Sequence, residues 1–120
     1  MTQRRFIIGG NWKMNTDLET GMALASQVAD AASASEACGV VIYPPFPYLQ
    51  AIDSVISNSP VTLGAQNIWP ESHGAFTGEV SCGMLKDLGV ASVLVGHSER
   101  RHVLLESDPL IAKKVDFAIN

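Results

Sequence analysis

Four short apolar runs, each followed by a segment of helical periodicity, restrict this chain more than any other feature of its sequence. Strands are expected at 5–12, around Phe6-Ile7-Ile8, at 39–43, around Val40-Val41-Ile42, at 61–66, and at 91–95, around Val93-Leu94-Val95. Their nearly continuous, β-branched character suits strands covered on both faces, which is the habit of parallel sheets. Strands and helices alternating in this way build right-handed β-α units, either in a doubly wound sheet or in a (β/α)8 barrel.

The helical segments carry their own boundary signals. Thr16-Asp17-Leu18-Glu19 has the spacing of a capping box, with the Thr16 hydroxyl and the Glu19 carboxylate reaching orphan amides of a first turn. Leu18, Met22, Ala25 and Ala29 follow at helical spacing as the expected buried face. Pro44-Pro45 and Pro47 close the second strand and lead into a helix at about 47–56, and a short third helix is expected at 81–88, stopped by Gly89. Ser107-Asp108-Pro109 opens a last helix, with proline where a missing N–H costs nothing and with Ile111, Val115 and Ile119 as its apolar face. A doubly wound nucleotide-binding sheet places a glycine-rich phosphate turn after its first strand, whereas Gly9-Gly10 here runs into Asn11-Trp12-Lys13. The barrel is therefore the expected α/β architecture. A whole barrel takes about 250 residues, so 1–120 is expected to hold its first four β-α units, with no internal domain boundary and with the barrel incomplete in this chain.

Composition narrows the function. With 47% hydrophobic and 17% charged residues the chain can bury a core. Its apolar stretches fall far short of the roughly 20 residues of a membrane span, and Arg4-Arg5 leads into a strand-length run rather than a signal-peptide core. A soluble, cytoplasmic protein with no membrane partner is expected. A net charge of -4 with scattered basic residues argues against nucleic acid. Cys38 and Cys82 lie far apart without CxxC spacing and read as free thiols rather than metal ligands.

Polar residues that could do chemistry gather where the first and fourth strands give way to loops. Asn11 and Lys13 share one face by strand periodicity, so an amide and an ammonium converge on one spot, where a phosphate or an enolate could be neutralised. His97 follows Val95-Gly96 and precedes Ser98-Glu99-Arg100-Arg101, which has the look of a helical turn. An imidazole at a helix N-terminus is disfavoured as a cation and can donate a hydrogen bond to a substrate carbonyl while neutral. Glu99 is either part of an exposed ion-pair cluster or a carboxylate that holds Lys13, and spacing leaves both open. His73 and His102 lack comparable placement. The connection from Asn67 to Gly78 is long for a β-α loop, and Phe76-Thr77 gives it an apolar tip suited to docking on a second copy of the chain.

Four segments in order, Gly10-Asn11-Trp12-Lys13-Met14-Asn15, Gly64-Ala65-Gln66-Asn67, Gly74-Ala75-Phe76-Thr77-Gly78-Glu79-Val80-Ser81 and Gly96-His97-Ser98-Glu99-Arg100-Arg101, make the chain similar to the amino-terminal half of the triosephosphate isomerase family. The resemblance implies a (β/α)8 barrel that interconverts dihydroxyacetone phosphate and glyceraldehyde 3-phosphate by proton transfer, in glycolysis and gluconeogenesis, without metal or cofactor. It implies that Asn11 and Lys13 bind substrate, that Glu99 stands near the lysine, and that His97 polarises the carbonyl as a neutral imidazole, a known property of this family rather than an independent result. It also implies a homodimer in which Thr77 enters the neighbouring subunit beside its asparagine and lysine, with Glu79 and Arg100 as an ion pair supporting that loop. Leu104-Leu105 departs from the family, which has an aromatic residue followed by glycine there. The catalytic glutamate, the lid and the glycine-rich phosphate grip of the family come from later strands, so the general base is absent from this chain and 1–120 alone is expected to be an inactive fragment. The contrasting expectation is a naturally truncated, non-catalytic half-barrel serving as an assembly or binding module.

Overall fold

A computed structural model describes residues 3–120 as a curled, four-stranded parallel sheet wrapped on its outside by helices. In chain order the elements are β1 Ile7–Asn11, α1 Leu18–Ser33, β2 Gly39–Tyr43, a 3-10 turn Phe46–Tyr48 running into α2 Leu49–Ile56, β3 Thr62–Ala65, α3 Cys82–Asp87, β4 Ser92–Val93, α4 Ser98–His102 and α5 Asp108–Ile119. The strands lie in sequence order, β1-β2-β3-β4. Register pairs Asn11 with Tyr43, Ile42 with Leu63 and Ala65 with Val93, so the strand ends that carry the polar motifs finish at one rim. Stepwise parallel neighbours joined by crossovers on one side are the first β-α units of a (β/α)8 barrel, as expected.

The core lies between the outer face of the sheet and the helices. Ala25 and Ala29 of α1, Leu49, Ile52 and Ile56 of α2, and Ile42, Leu63 and Ala65 of the sheet are all buried there, with Ile68 and Leu85. Small residues on α1 allow it to lie close to α2, and a Cβ at Gly21 would already touch the Thr16 hydroxyl at 3.2 Å. On the inner face Tyr43 fills space left by glycines. Its ring lies over Gly9 and Gly64, and its hydroxyl accepts a hydrogen bond from Ser92 at 3.4 Å. A Cβ at Gly64 would collide with that ring. Gly64→Ala is expected to lose about 1–3 kcal/mol of stability by overpacking, and Tyr43→Ala in the same chain should recover part of it. Thermal denaturation of the single and double variants reads both effects.

Several local expectations need correction. The N-cap of α1 is Asp17, whose carboxylate accepts from Thr20 N while Thr20 Oγ1 accepts from Asp17 N, and not the Thr16–Glu19 pair. Thr16 instead takes a left-handed turn at φ 79°, with its hydroxyl buried and unpaired. This cap leaves Gly21, Ala25 and Ala29 buried on α1, while Leu18 and Met22 are exposed. On α5, Ile111 is buried as expected, but its companion is Lys114; Val115 and Ile119 face outward. The strands are also shorter than their apolar runs. Phe6, Ile7 and Ile8 of the β1 edge are 78%, 67% and 62% exposed, so the first run is not covered on both faces within 3–120.

Candidate active site

Asn11, Lys13, Gln66, Leu94, His97, Glu99 and Leu104 line an open cavity of about 270 Å³ at the rim where the strands end. Asn11 closes β1, and its Oδ1 accepts the Lys13 amide at 2.9 Å in a tight turn. Lys13 sits at φ 58°, a left-handed conformation that costs a residue with a side chain about 1–2 kcal/mol. Its ammonium meets Glu99 Oε1 at 2.7 Å, in an ion pair whose side chains are both about half exposed. The Lys13 hydrogen bond is the main reason that the Glu99 carboxyl lies below its ordinary range.

His97 is brought to the same cavity by a glycine turn and a helix start. Gly96 has φ 68°, and a Cβ there would press on the Arg101 guanidinium and on Ile111, so glycine is required. His97 then caps α4, its Nδ1 accepting the Glu99 amide N–H at 3.2 Å. With Nδ1 engaged as an acceptor in this cap, Nε2 is the ring nitrogen left to donate. The Glu99 carboxylate stands 3.6 Å from the same Nδ1.

Met14 and Arg100 also line this cavity. Arg100 donates through Nε to Glu106 Oε2 at 2.8 Å, and Glu79 makes no ion pair among the described residues of this single chain. Thr77 is exposed on its loop and does not line the cavity. Trp69 and Phe76 bring that loop back on itself, with ring centroids 5.5 Å apart. Beneath it lies a polar cluster that sequence reasoning missed. Lys114, only 1% exposed, bonds Asn67 Oδ1 at 2.8 Å and Glu106 Oε2 at 2.9 Å, with the Trp69 ring 5.9 Å away. A lysine on the inward side of α5 was the available signal. Leu105 holds φ 56° with its side chain 81% exposed. Leu105→Gly should therefore raise stability by about 0.5–1 kcal/mol, relief of the left-handed strain exceeding the entropy that glycine adds to the unfolded chain; a lowered denaturation midpoint would contradict this. No group of metal-ligand side chains exists among the described residues, and no described helix is long and apolar enough to cross a membrane. Cys38 and Cys82 are free thiols.

The fold is the first half of a (β/α)8 barrel, with a lysine, an amide and an imidazole gathered at the C-terminal ends of its strands. The family model for triosephosphate isomerase matches residues 6–120. The triosephosphate isomerase of Rhodopirellula baltica is 47% identical over 116 residues, covering 97% of this chain and 46% of that protein. Those of Magnetococcus marinus and Hahella chejuensis are 46% and 45% identical and are covered over 44% and 46% of their lengths. The chain belongs to the triosephosphate isomerase family, and it spans slightly under half the length of these relatives.

Proposed function

We propose that residues 3–120 supply the substrate-holding and carbonyl-polarising side of a triosephosphate isomerase, acting on dihydroxyacetone phosphate and glyceraldehyde 3-phosphate. The observation that carries this reading is His97, its Nδ1 engaged by the Glu99 amide, beside the Lys13–Glu99 pair in one cavity. Aldose–ketose isomerisation removes a proton next to a carbonyl, and negative charge then builds on the carbonyl oxygen. The Nε2 hydrogen of His97 can donate to that oxygen without a change in net charge at the ring. The Lys13 ammonium offsets the phosphate and the growing oxyanion, and Asn11 holds the turn that presents it. Glu99 keeps the ammonium in place but is already engaged with it, so it is not available as the base. No cofactor is needed for such a proton transfer. The exposed Thr77 and Phe76 of the Asn67-to-Gly78 loop suit a homodimer contact, in keeping with a cytoplasmic enzyme of small phosphorylated sugars.

The test joins residues 6–120 to the remaining segment of the Rhodopirellula baltica relative. A coupled assay should show interconversion of the two triose phosphates, and His97→Gln should lower kcat by about 100- to 1,000-fold, the loss of one well-placed donor to an oxyanion. Full activity in His97→Gln would sink the assignment of His97.

A further inference from the structure

Gln66 stands at the end of β3, and its side-chain Nε2 donates to two carbonyls at once: Lys13 O at 2.8 Å and Tyr43 O at 2.8 Å. Tyr43 is the β2 residue in register with Asn11, so one carboxamide ties the loop after β1 to the end of β2 from a base on a third strand. Both amide hydrogens are used, and turning the amide over would set its oxygen against two carbonyl oxygens, so its orientation is fixed. On the other side of the same residue, the Lys13 amide is taken by Asn11 Oδ1. Lys13 at φ 58° is thus gripped from both of its peptide groups, in a conformation its own side chain disfavours.

We propose that Gln66 is a positioning residue for Lys13: its carboxamide clamps the Lys13 carbonyl, holds the left-handed turn, and so aims the ammonium across the cavity at Glu99. The catalytic meaning of the clamp rests on the role proposed above for Lys13. The clamp itself is a property of this chain and can be read without turnover.

Glu99 supplies the readout. The charged or titratable side chains against its carboxylate are Lys13 and His97, and the Lys13 hydrogen bond is the chief cause of its lowered titration. Gln66→Met keeps the length of the side chain and removes both donors. Site-resolved carbon-13 NMR of the carboxyls in this chain should show the Glu99 midpoint rising toward that of an ordinary glutamate in Gln66→Met. Asp17, held low by its own cap contacts with Thr20 and outside the cavity, should not move. That control separates a lost aim from general loosening. A folded Gln66→Met with Glu99 unmoved overturns the proposal. A second measurement needs no substitution: magic-angle-spinning NMR of the sedimented, unaltered chain should detect the close contact between Gln66 Nε2 and the Lys13 carbonyl carbon, and its absence overturns the proposal whatever Gln66→Met does. Neither readout uses isomerase activity, so failure of the clamp and failure of the catalytic reading are separate results.

Discussion

Lys114→Met is expected to cost about 3–5 kcal/mol of folding stability, because it leaves a buried carboxylate short of a partner. Lys114 is 1% exposed and ties Glu106 at 2.9 Å to Asn67 at 2.8 Å, while Arg100 holds the same Glu106 oxygen at 2.8 Å. Methionine fills much of the volume, so the loss is mostly electrostatic. For a chain of this size the thermal midpoint should fall by on the order of 10–20 °C. Lys114→Met combined with Glu106→Gln should lose less than the sum of the two single changes, since the stranded charge is then removed as well. A loss below about 1 kcal/mol in Lys114→Met would show that the cluster contributes little.

Acid sensitivity follows from the same contacts. Burial is the largest single influence on Glu106 and pushes its carboxyl upward, but the hydrogen bonds and charges of Lys114 and Arg100 together hold it below its ordinary value of 4.5. Folding therefore favours the ionised form. That contribution is fully present above the ordinary value and is lost as pH falls from there through the lower native value. Urea midpoints should accordingly decline on acidification below 4.5 in the unaltered chain and decline less in Lys114→Met, where burial meets one fewer opposing cation.

The parts of this molecule that were legible in the sequence are those set by local pattern. β2 was legible to the residue, and α3 with its Gly89 stop to within one, because apolar runs and terminators act over a few positions. The start of α1 is not set by local pattern alone, because Thr16 and Asp17 are both capping residues in adjacent positions and the choice depends on Thr16 taking a left-handed turn under Gly21. On α5, hydrophobic counting selected Val115, whereas the helix turns Lys114 inward to meet Asn67 and Glu106. Those partners come from a distant loop and from the segment before the helix, and no short window contains all of them. The site divides in the same way. Asn11, Lys13 and His97 were visible as polar residues at strand ends, with Glu99 offered as a partner for Lys13, but the double grip of Gln66 joins strands far apart in sequence. The Arg100–Glu106 contact, six residues apart across the end of α4, was likewise not marked by any local pattern.

The 120-residue chain by itself is expected to give no measurable triose phosphate isomerisation, although the groups proposed to polarise and neutralise the substrate line its cavity. Proton removal from carbon needs a base poised on the substrate, and a positioned base contributes about 100- to 10,000-fold. Among the described residues that line the cavity the only carboxylate is Glu99, and it is spent on Lys13 at 2.7 Å. A base that left Lys13 to take a proton would also forfeit the charge that makes its own ionisation favourable. The cavity is open to water, which weakens the Lys13 and His97 interactions and exposes an enediolate to side reactions, so exclusion of water is a further requirement that residues 3–120 leave unmet. The open edge adds a physical obstacle. Phe6, Ile7 and Ile8 present apolar surface and unpaired backbone along β1, a surface expected to associate from chain to chain as concentration rises. A coupled assay run beside sedimentation measurements separates the two effects. Turnover from a monodisperse 120-residue chain would refute the need for an outside base, while activity appearing only after addition of the remaining segment of a relative, and vanishing in Lys13→Met, is the expected result.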